Sequence, residues 1–236
     1  MAEQVHWHEG LFLLPHHLQA LQRQLHDVAA AGRSVLRPDA SGVVDSELST
    51  DGLRSMVVRF DRLRAVMPSG VHVDVPGNAE LAPLQLGDAF DGSPDGVTVY
   101  LGVPLYRAHG ANTAETDSGA SDRRFVVRET ERADENTGDD ARPMLTRSLN
   151  ARLTLSADAD PNLETIPLVR LQRSVDDDVV KPVASFTPPL FAVGGSPWLV
   201  RMLRELTYQA QAAARELSAQ LTRSGMSVET LRGAEI

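Results

Sequence analysis

The sequence contains no cysteine, few aromatic residues and no long hydrophobic run. The missing cysteine excludes disulfide bonds and thiolate metal ligands, and it fits a reducing compartment. Aromatic residues are only 5% of the chain, which disfavours the ring stacking used by sugar-binding sites. The apolar patch Leu11–Leu14 is far shorter than the ~18 residues of a membrane span, and no signal-peptide cleavage pattern follows it. These absences predict a cytoplasmic protein without direct membrane insertion.

An excess of acidic residues gives the chain a formal net charge of −9 and a sequence pI near 5.2. Nucleic acids and anionic membranes would repel such a chain, so we expect neither as a partner. The chain has 236 residues, 42% of them hydrophobic, which is enough for a substantial core. Other proteins are therefore the expected partners.

The N-terminal segment combines an apolar, extended arm with an amphipathic helix. Pro15 follows the apolar patch Leu11–Leu14 and suits the first helical position, where its missing N–H costs nothing. Apolar residues then recur at steps of three and four, and Gly32 is predicted to end the helix. This stripe consists of Leu18, Leu21, Leu25 and Val28. Both the arm and the stripe need a surface to cover them.

Beyond the first helix, the apolar period changes to two, as in half-buried strands. A hairpin is predicted over residues 56–75, with its turn at Pro68-Ser69-Gly70. In the clearest strand, 97–105, Pro104 lacks a ladder N–H and is predicted at a sheet edge or bulge. Further strands are predicted around 123–130, 151–155, 166–175 and 179–186, with exposed loops at 109–122 and 131–142. Short strands without intervening helices favour a mainly β fold, an antiparallel β-sandwich.

The last part of the chain is predicted to be a long helix from Pro197 to Gly225, capped by Ser196. Apolar or small residues alternate at steps of four and three, which is typical of a heptad seam in a helix bundle. The seam consists of Leu199, Leu203, Leu206, Ala210, Ala213 and Leu217. The same period also fits an amphipathic helix lying on its own domain. Residues 226–236 are expected to begin a second helix.

Four motifs together resemble a known family. They are the N-terminal pattern Trp7-x-Glu9-Gly10-Leu11-Phe12-Leu13-x-Pro15-x-His17-Leu18-Gln19, then Met67-Pro68-Ser69-Gly70, Leu168-Val169-Arg170-Leu171 and Phe186-Thr187-Pro188-Pro189-Leu190. This set resembles the TssK (VasE/ImpJ) family, trimeric baseplate subunits of the bacterial type VI secretion system. The family typically has Met, Gln and Phe where this chain has Leu11, His16 and Leu18, which are changes of conservative size. Family members are about twice as long as this chain.

The resemblance implies three parts: an N-terminal arm and helix at 1–32, a β-sandwich shoulder domain at 33–195, and the start of a helical neck at 196–236. The shoulder would resemble that of siphophage receptor-binding proteins, and the neck seam would hold a homotrimer. The expected partners of the N-terminal region are the baseplate wedge proteins TssF and TssG. Its partner-binding residues are predicted to be Trp7, Glu9, Phe12, Leu13, Pro15, His17 and Leu18.

In the family, a C-terminal head reaches the membrane complex TssJ/TssL/TssM, and we expect that head to be absent from this chain. The resemblance therefore implies a structural protein of the secretion baseplate that works through protein–protein interaction. Its expected location is cytoplasmic, at the inner-membrane-associated baseplate.

Candidate sites for chemistry are weak. One group of side chains contains possible zinc or iron ligands: His6, His8, Glu9, His16 and His17. The two histidine pairs lie on separate elements, and the resemblance implies no metal. Asp176-Asp177-Asp178 lacks the spacing and glycine of a calcium loop, and Gly194-Gly195-Ser196 lacks the lysine of a phosphate loop. No Gly-x-Ser-x-Gly nucleophile motif occurs. We therefore expect no catalytic residue, no metal and no cofactor, and hence no enzyme.

Two other classes of protein were weighed against the structural one. A phage-tail-like, trimeric receptor- or carbohydrate-binding module would share the sandwich and the long helix, but it should carry aromatic residues on exposed loops. The loops at 109–122 and 131–142 contain none. A histidine-based metalloenzyme would purify with stoichiometric metal. The baseplate component is the prediction that the motifs favour.

Overall fold

The computed structural model describes residues 3–91, 96–115, 122–158, 160–174 and 179–223. The chain divides into two compact units, Met1–Ser196 and Pro197–Ile236. Three sequence predictions lie outside the described residues: the acidic turn at 176–178, the helix stop at Gly225 and the second helix at 226–236. No helix in the described part of the chain has both the length and the apolar character needed to cross a membrane.

The first unit contains two helices and twelve described strands. The helices are α1 (Pro15–Leu36) and α2 (Thr50–Arg54). The first six strands are β1 (Gly42–Leu48), β2 (Val57–Val58), β3 (Phe60–Val66), β4 (His72–Val75), β5 (Leu84–Gln85) and β6 (Val97–Pro104). The other six are β7 (Thr113–Ala114), β8 (Phe125–Arg132), β9 (Arg142–Leu149), β10 (Arg152–Thr154), β11 (Leu163–Arg173) and β12 (Val180–Pro182). A short 3-10 helix follows at Val193–Gly195, and the second unit contains α3 (Pro197–Arg223).

Two antiparallel sheets contribute to one hydrophobic core. One sheet has the strand order β1-β3-β4 and the other has the order β10-β6-β11-β12. Leu63 and Val73 of the first sheet and Val99 and Leu101 of the second are buried in the same cluster. The predicted mainly β, antiparallel, sandwich-like fold is therefore confirmed.

A third sheet, β7-β8-β9, extends from this core. Strands β8 and β9 form a hairpin that is paired along its whole length, from Phe125–Leu149 to Arg132–Arg142. The predicted loop at 131–142 is confirmed as the exposed tip of this hairpin, with strand residues at both of its ends. Within the predicted loop at 109–122, the two-residue strand β7 pairs in parallel with the start of β8.

Several elements were not predicted from the sequence, chiefly β1, α2 and β9. The first four residues of β9 are all exposed, so they show no alternation of apolar and polar side chains. The predicted hairpin at 56–75 is confirmed from Phe60 onward, as β3, its turn and β4, whereas Val57–Val58 form β2 and pair with β5. Leu63, Ala65 and Met67 are buried on one strand, and the apolar residues of the returning strand are buried as well.

The prediction that Gly32 ends the first helix is wrong, because α1 continues to Leu36. A glycine inside a helix costs about 1 kcal/mol relative to alanine, which weakens a helix without stopping it. Contacts with the β3–β4 turn hold the residues around it. The Arg33 Nη1 donates to the Gly70 carbonyl over 3.0 Å, and Ala30 lies close against Gly70. The start at Pro15, by contrast, is confirmed.

The prediction that Pro104 lies at a sheet edge or bulge holds on one side of its strand only, because Pro104 pairs with Leu163 of β11 but has no partner on β10. Strand β6 lies between β10 and β11, and Pro104 is its buried last residue. The proline is tolerated there because β10 pairs with β6 only as far as Gly102. The register shift in this part of the sheet occurs at the neighbouring Pro167, on β11. The strand predicted over 97–105 ends one residue earlier, and Leu105 lies beyond it and is exposed.

Candidate partner-binding surface

The arm that precedes α1 is folded by a turn. The Leu11 N–H donates to the His8 carbonyl over 3.3 Å. Gly10 has a φ of +81°, in the left-handed region that glycine adopts without steric cost. The arm was predicted to be extended, but this turn interrupts it. The turn also explains Gly10 in the N-terminal pattern, because its positive φ favours glycine.

His17 fixes the start of α1. Its Nδ1 accepts a hydrogen bond from the Leu14 N–H over 3.0 Å, which satisfies one backbone donor at the helix start. The Trp7 ring lies against this imidazole, with 6.3 Å between ring centroids. Two residues of the N-terminal pattern thus hold the arm on the first turn of the helix.

The histidines of the arm do not form a metal centre in the described part of the chain. His6 and His8 stack with 5.4 Å between ring centroids, whereas His17 is occupied by the helix start. No group of three or more histidine, aspartate or glutamate side chains in the described residues is placed to hold a metal ion.

The large apolar side chains of the arm face solvent. Trp7 is 51% exposed, Phe12 80% and Leu13 53%. A folded chain can leave single apolar residues at its surface, but a contiguous group of this size usually marks a protein interface.

Helix α1 turns its apolar stripe away from the β-sandwich. Leu18, Leu25 and Val28 are exposed and Leu21 is half-buried, and α1 contains no buried residue. The side chains that contact the rest of the unit are instead Gln22, Arg23, Ala30 and Arg33. At 100° per residue, these contacts are centred about 130° around the helix from the stripe. The stripe and the arm therefore present apolar surface outward.

Polar contacts hold α1 in this orientation. The Arg23 guanidinium lies over the Tyr106 ring, 3.9 Å from its centroid. The Gln22 Oε1 accepts a hydrogen bond from the Arg147 Nη2 over 3.1 Å. Together with the Arg33 bond to Gly70, these contacts join the helix to three separate segments of the first unit.

A buried ion pair supports the Pro68-Ser69-Gly70 turn, which contacts the C-terminal part of α1. The Arg124 Nη2 donates to the Glu164 Oε1 over 3.1 Å, and Arg124 Nη1 donates to the Pro104 carbonyl over 2.9 Å. Ser69 donates to both Glu164 oxygens, through its N–H over 2.9 Å and its hydroxyl over 2.7 Å. This network explains the serine in the Met67-Pro68-Ser69-Gly70 motif.

Arg124 and Glu164 were not predicted from the sequence. A signal for the glutamate was present, because alternation along β11 puts Glu164 on the same face as Ile166 and Leu168, which are buried. An acidic residue in an inward register needs a buried cation. Nothing local in the sequence identifies Arg124 as that cation.

Two histidines lie beside this region. Burial lowers the pKa of His26, and the nearby positive charges of Arg23 and Arg124 lower it further, against the opposing effect of Asp27. Burial also lowers the pKa of His72, assisted by Arg33 and His26. The junction between α1 and the sheets is therefore rich in positive charge.

The second unit contains the predicted seam on α3, which begins at Pro197 as expected. Its leucines Leu203, Leu206 and Leu217 are between 41% and 60% exposed, and α3 contains no buried residue. Ala210 and Ala213 are exposed as well, and Leu199 is half-buried. The seam residues therefore form a second apolar stripe that is open to a partner.

Comparisons with known proteins agree with this picture. The curated TssK1, a type VI secretion system baseplate component of Pseudomonas aeruginosa PAO1, is 29% identical over 205 residues, which is 85% of this chain and 45% of that protein. The chain thus spans about half the length of this relative.

Two solved structures show the fold. One is a cryo-electron microscopy structure of the type VI secretion TssK-TssF-TssG baseplate subcomplex, with a TM-score of 0.84 and 22% identity over 95% of this chain and 74% of that one. The other is a crystal structure of TssK, with a TM-score of 0.81 and 23% identity over 94% of this chain and 50% of that one.

The model of the T6SS_VasE family, described as "Bacterial Type VI secretion, VC_A0110, EvfL, ImpJ, VasE", matches residues 17–235. This match covers both helices with apolar stripes and the sheets between them. The resemblance inferred from the sequence motifs is thereby confirmed, and the chain belongs to the T6SS_VasE family of bacterial type VI secretion proteins.

Proposed function

We propose that this chain is a structural component of a type VI secretion baseplate, and that its arm and the α1 stripe dock on the wedge proteins TssF and TssG. The observation that carries the proposal is the orientation of α1, whose leucines face away from the core of its own unit. The presence of a TssK chain in a TssK-TssF-TssG subcomplex with the same fold supports the choice of partner.

The chemistry of this surface suits a role in assembly. Phe12, Leu13, Leu18 and Leu25 offer large apolar side chains that lose water contact when a partner covers them, and each such burial contributes roughly 1.5–3 kcal/mol. Aromatic anchors surrounded by smaller contacts are typical of the residues that dominate a binding energy. His17 and Pro15 act on the same surface indirectly, because they fix the start of the helix that displays it.

The C-terminal seam is proposed to hold a homotrimer. A 27-residue helix with apolar or small residues at alternating steps of four and three is suited to a parallel bundle, and its stripe is uncovered. In this proposal, residues 1–36 form the docking arm and helix, the sheets form a rigid shoulder, and residues from Pro197 onward form a neck. Contact with the membrane complex TssJ/TssL/TssM is assigned to the part of the longer relatives that this chain does not match.

The docking proposal is tested by co-purification with TssF and TssG from the same secretion gene set. Trp7→Ala with Phe12→Ala, and separately Leu18→Asp, should reduce recovery of the wedge proteins at least tenfold, because each change removes apolar contact from the interface. Val193→Asp is the matched control, since Val193 and Leu18 are both 48% exposed. It should leave recovery unchanged.

The thermal unfolding of each variant should stay within a few degrees of the parent, because the replaced side chains lie outside the core. Full recovery of TssF and TssG with both the arm and the stripe replaced would refute the docking proposal.

A further inference from the structure

A groove lies between α1 and one face of the β7-β8-β9 sheet, with a volume of about 830 Å³. The helix contributes Arg23 and His26 to its wall, among others. The sheet contributes Phe125, Leu145 and Arg147. The register of β8 and β9 puts these three side chains on the same face of the sheet.

The groove is cationic although the chain as a whole is acidic. Among the described residues, its lining includes three arginines, Arg23, Arg124 and Arg147, and no aspartate or glutamate, although Glu129 lies opposite Leu145 on the same face of the sheet. Carboxylates close by offset two of these charges, since Asp27 pairs with Arg23 and Glu164 pairs with Arg124. The partner of Arg147 is the neutral amide of Gln22. The groove therefore retains positive charge in a chain whose formal net charge is −9.

Two of these arginines are arranged for carboxylate binding. Arg23 lies over the Tyr106 ring at 3.9 Å and Arg147 over the Phe125 ring at 4.7 Å. A guanidinium that lies flat on a ring keeps its N–H groups in its own plane, where they can fork onto a carboxylate. The ring contacts also reduce the freedom that each arginine would lose on binding.

The complementary surface is the hairpin tip, defined here as residues 131–140. This tip carries five acidic side chains: Glu131, Asp134, Glu135, Asp139 and Asp140. All of them are exposed. Arg147 lies five residues along β9 from Arg142, where the hairpin pairing ends, so the end of the hairpin lies about 17 Å from this groove residue. The end of the hairpin therefore does not reach Arg147 of its own chain, although Glu131 and the groove residue Leu145 are only two strand positions apart.

We infer that the hairpin tip of one copy docks in the cationic groove of a second copy, joining the shoulders head to tail. Such a heterologous contact closes into a ring when the rotation between copies allows it. A ring of three would add a second contact to the homotrimer proposed for the α3 seam, so the ring rests on that proposed function. The contact between tip and groove does not require the seam.

The first experiment measures the contact directly. A fluorescein-labelled peptide of residues 131–142 is titrated with the full chain, and fluorescence anisotropy is recorded at low and high salt. The peptide should bind, and high salt should weaken it. Arg147→Glu should weaken binding about tenfold, and a peptide with Glu135→Lys and Asp139→Lys should not bind. Arg54→Glu, an equal charge change at an exposed site on α2, should have no effect.

The second experiment exchanges the charges. Sedimentation equilibrium of the full chain should show weaker self-association for Arg147→Glu and for Glu135→Lys with Asp139→Lys. A chain that carries all three changes should recover association, because its tip and groove are again complementary. Recovery is a result that simple misfolding of the single variants would not give.

Three outcomes overturn the inference. The first is a peptide that does not bind, and the second is a peptide whose binding is unaffected by Arg147→Glu or equally weakened by Arg54→Glu. The third is an Arg147→Glu variant that loses TssF and TssG instead of self-association, which would assign the groove to a wedge protein. A trimer without peptide binding refutes only the docked tip. Peptide binding by a chain that self-associates without forming a trimer supports the tip contact and refutes the trimer.

Discussion

The strands of the first unit and the two long helices differ in where their apolar side chains point. Strands β3, β4, β6 and β11 bury theirs in one shared core. Helices α1 and α3 are 22 and 27 residues long, and neither contains a buried residue. Both helices carry a regular apolar stripe, so they do not lack apolar residues. They differ from the strands because their stripes do not face the core.

This contrast separates the source of stability from the source of association. The stability of the first unit should come mainly from the sheets, because burial of apolar surface is the dominant favourable term in folding. The helices contribute little to that core, and their exposed stripes are the surfaces proposed to bind other molecules. Changes in the sheets should therefore alter unfolding, and changes in the stripes should alter assembly while leaving unfolding unaltered.

The largest expected effect is on unfolding. Glu164→Ala leaves the Arg124 guanidinium buried without its carboxylate and removes both acceptors used by Ser69. Breaking a buried ion pair from one side typically costs about 3–5 kcal/mol. That is a large part of the 5–15 kcal/mol by which a typical domain is stable. Chemical denaturation followed by circular dichroism should show the loss.

A double variant serves as the control for that loss. Arg124→Met with Glu164→Leu removes both charges together and replaces them with apolar side chains, so it should recover most of the stability. If Glu164→Ala unfolds at the same denaturant concentration as the parent, the ion pair does not stabilise the turn. The stability of the first unit would then not depend on the Arg124–Glu164 network.

Sequence patterns were informative wherever the determining contacts are local. Alternation identified Leu63, Ala65 and Met67 as core residues, and all three are buried. The three-and-four periodicity identified α1 and α3. The orientation of α1 could not be predicted, because Arg23 contacts Tyr106 and Gln22 contacts Arg147, far apart in the chain. Periodicity shows that a stripe exists but not which side of the helix the rest of the fold will occupy.

For the candidate site, the sequence likewise predicted the residues but not all of their contacts. The N-terminal pattern singled out Trp7, Phe12 and Leu18, and the structure shows that these side chains are exposed. The role of His17 at the start of α1 could not be predicted from the sequence. Its ring nitrogen accepts the Leu14 N–H, and histidine is not a common capping residue. The docking role of these residues stays a prediction.

An intermediate effect is expected on association through α3. Leu203→Asp with Leu217→Asp should abolish the seam contact and lower the mass of the proposed trimer, leaving only the association that the tip and groove supply, because two charges per helix would be buried in the seam. Light scattering measures the mass, and the unfolding of the first unit should be unchanged. Tyr208→Asp is a suitable control, since Tyr208 is exposed and lies off the seam. An unaltered mass for the seam variant would exclude this helix as the trimer contact.

The smallest expected effect is on the attachment of α1, and it depends on pH. His26 faces Arg23 and Asp27 on its own helix, Arg124 from β8's leading segment and His72 from β4. The pKa of His26 is lowered in the folded chain, so its contribution to stability is fully present above its unfolded pKa of about 6.5. That contribution decreases as pH falls through the lowered value.

The change should be below about 1 kcal/mol, because the His26 ring is partly exposed and solvent screens its neighbours. Hydrogen exchange of the α1 amides, corrected for the intrinsic dependence on pH, should show less protection at pH 5.5 than at pH 7.5. Carboxylates with lowered pKa values, such as Asp160, stay ionised in this window and do not contribute. His26→Gln should remove most of the difference, and His72→Gln the remainder. Equal protection at both pH values would mean that protonation of His26 beside Arg23 and Arg124 does not weaken the attachment of α1.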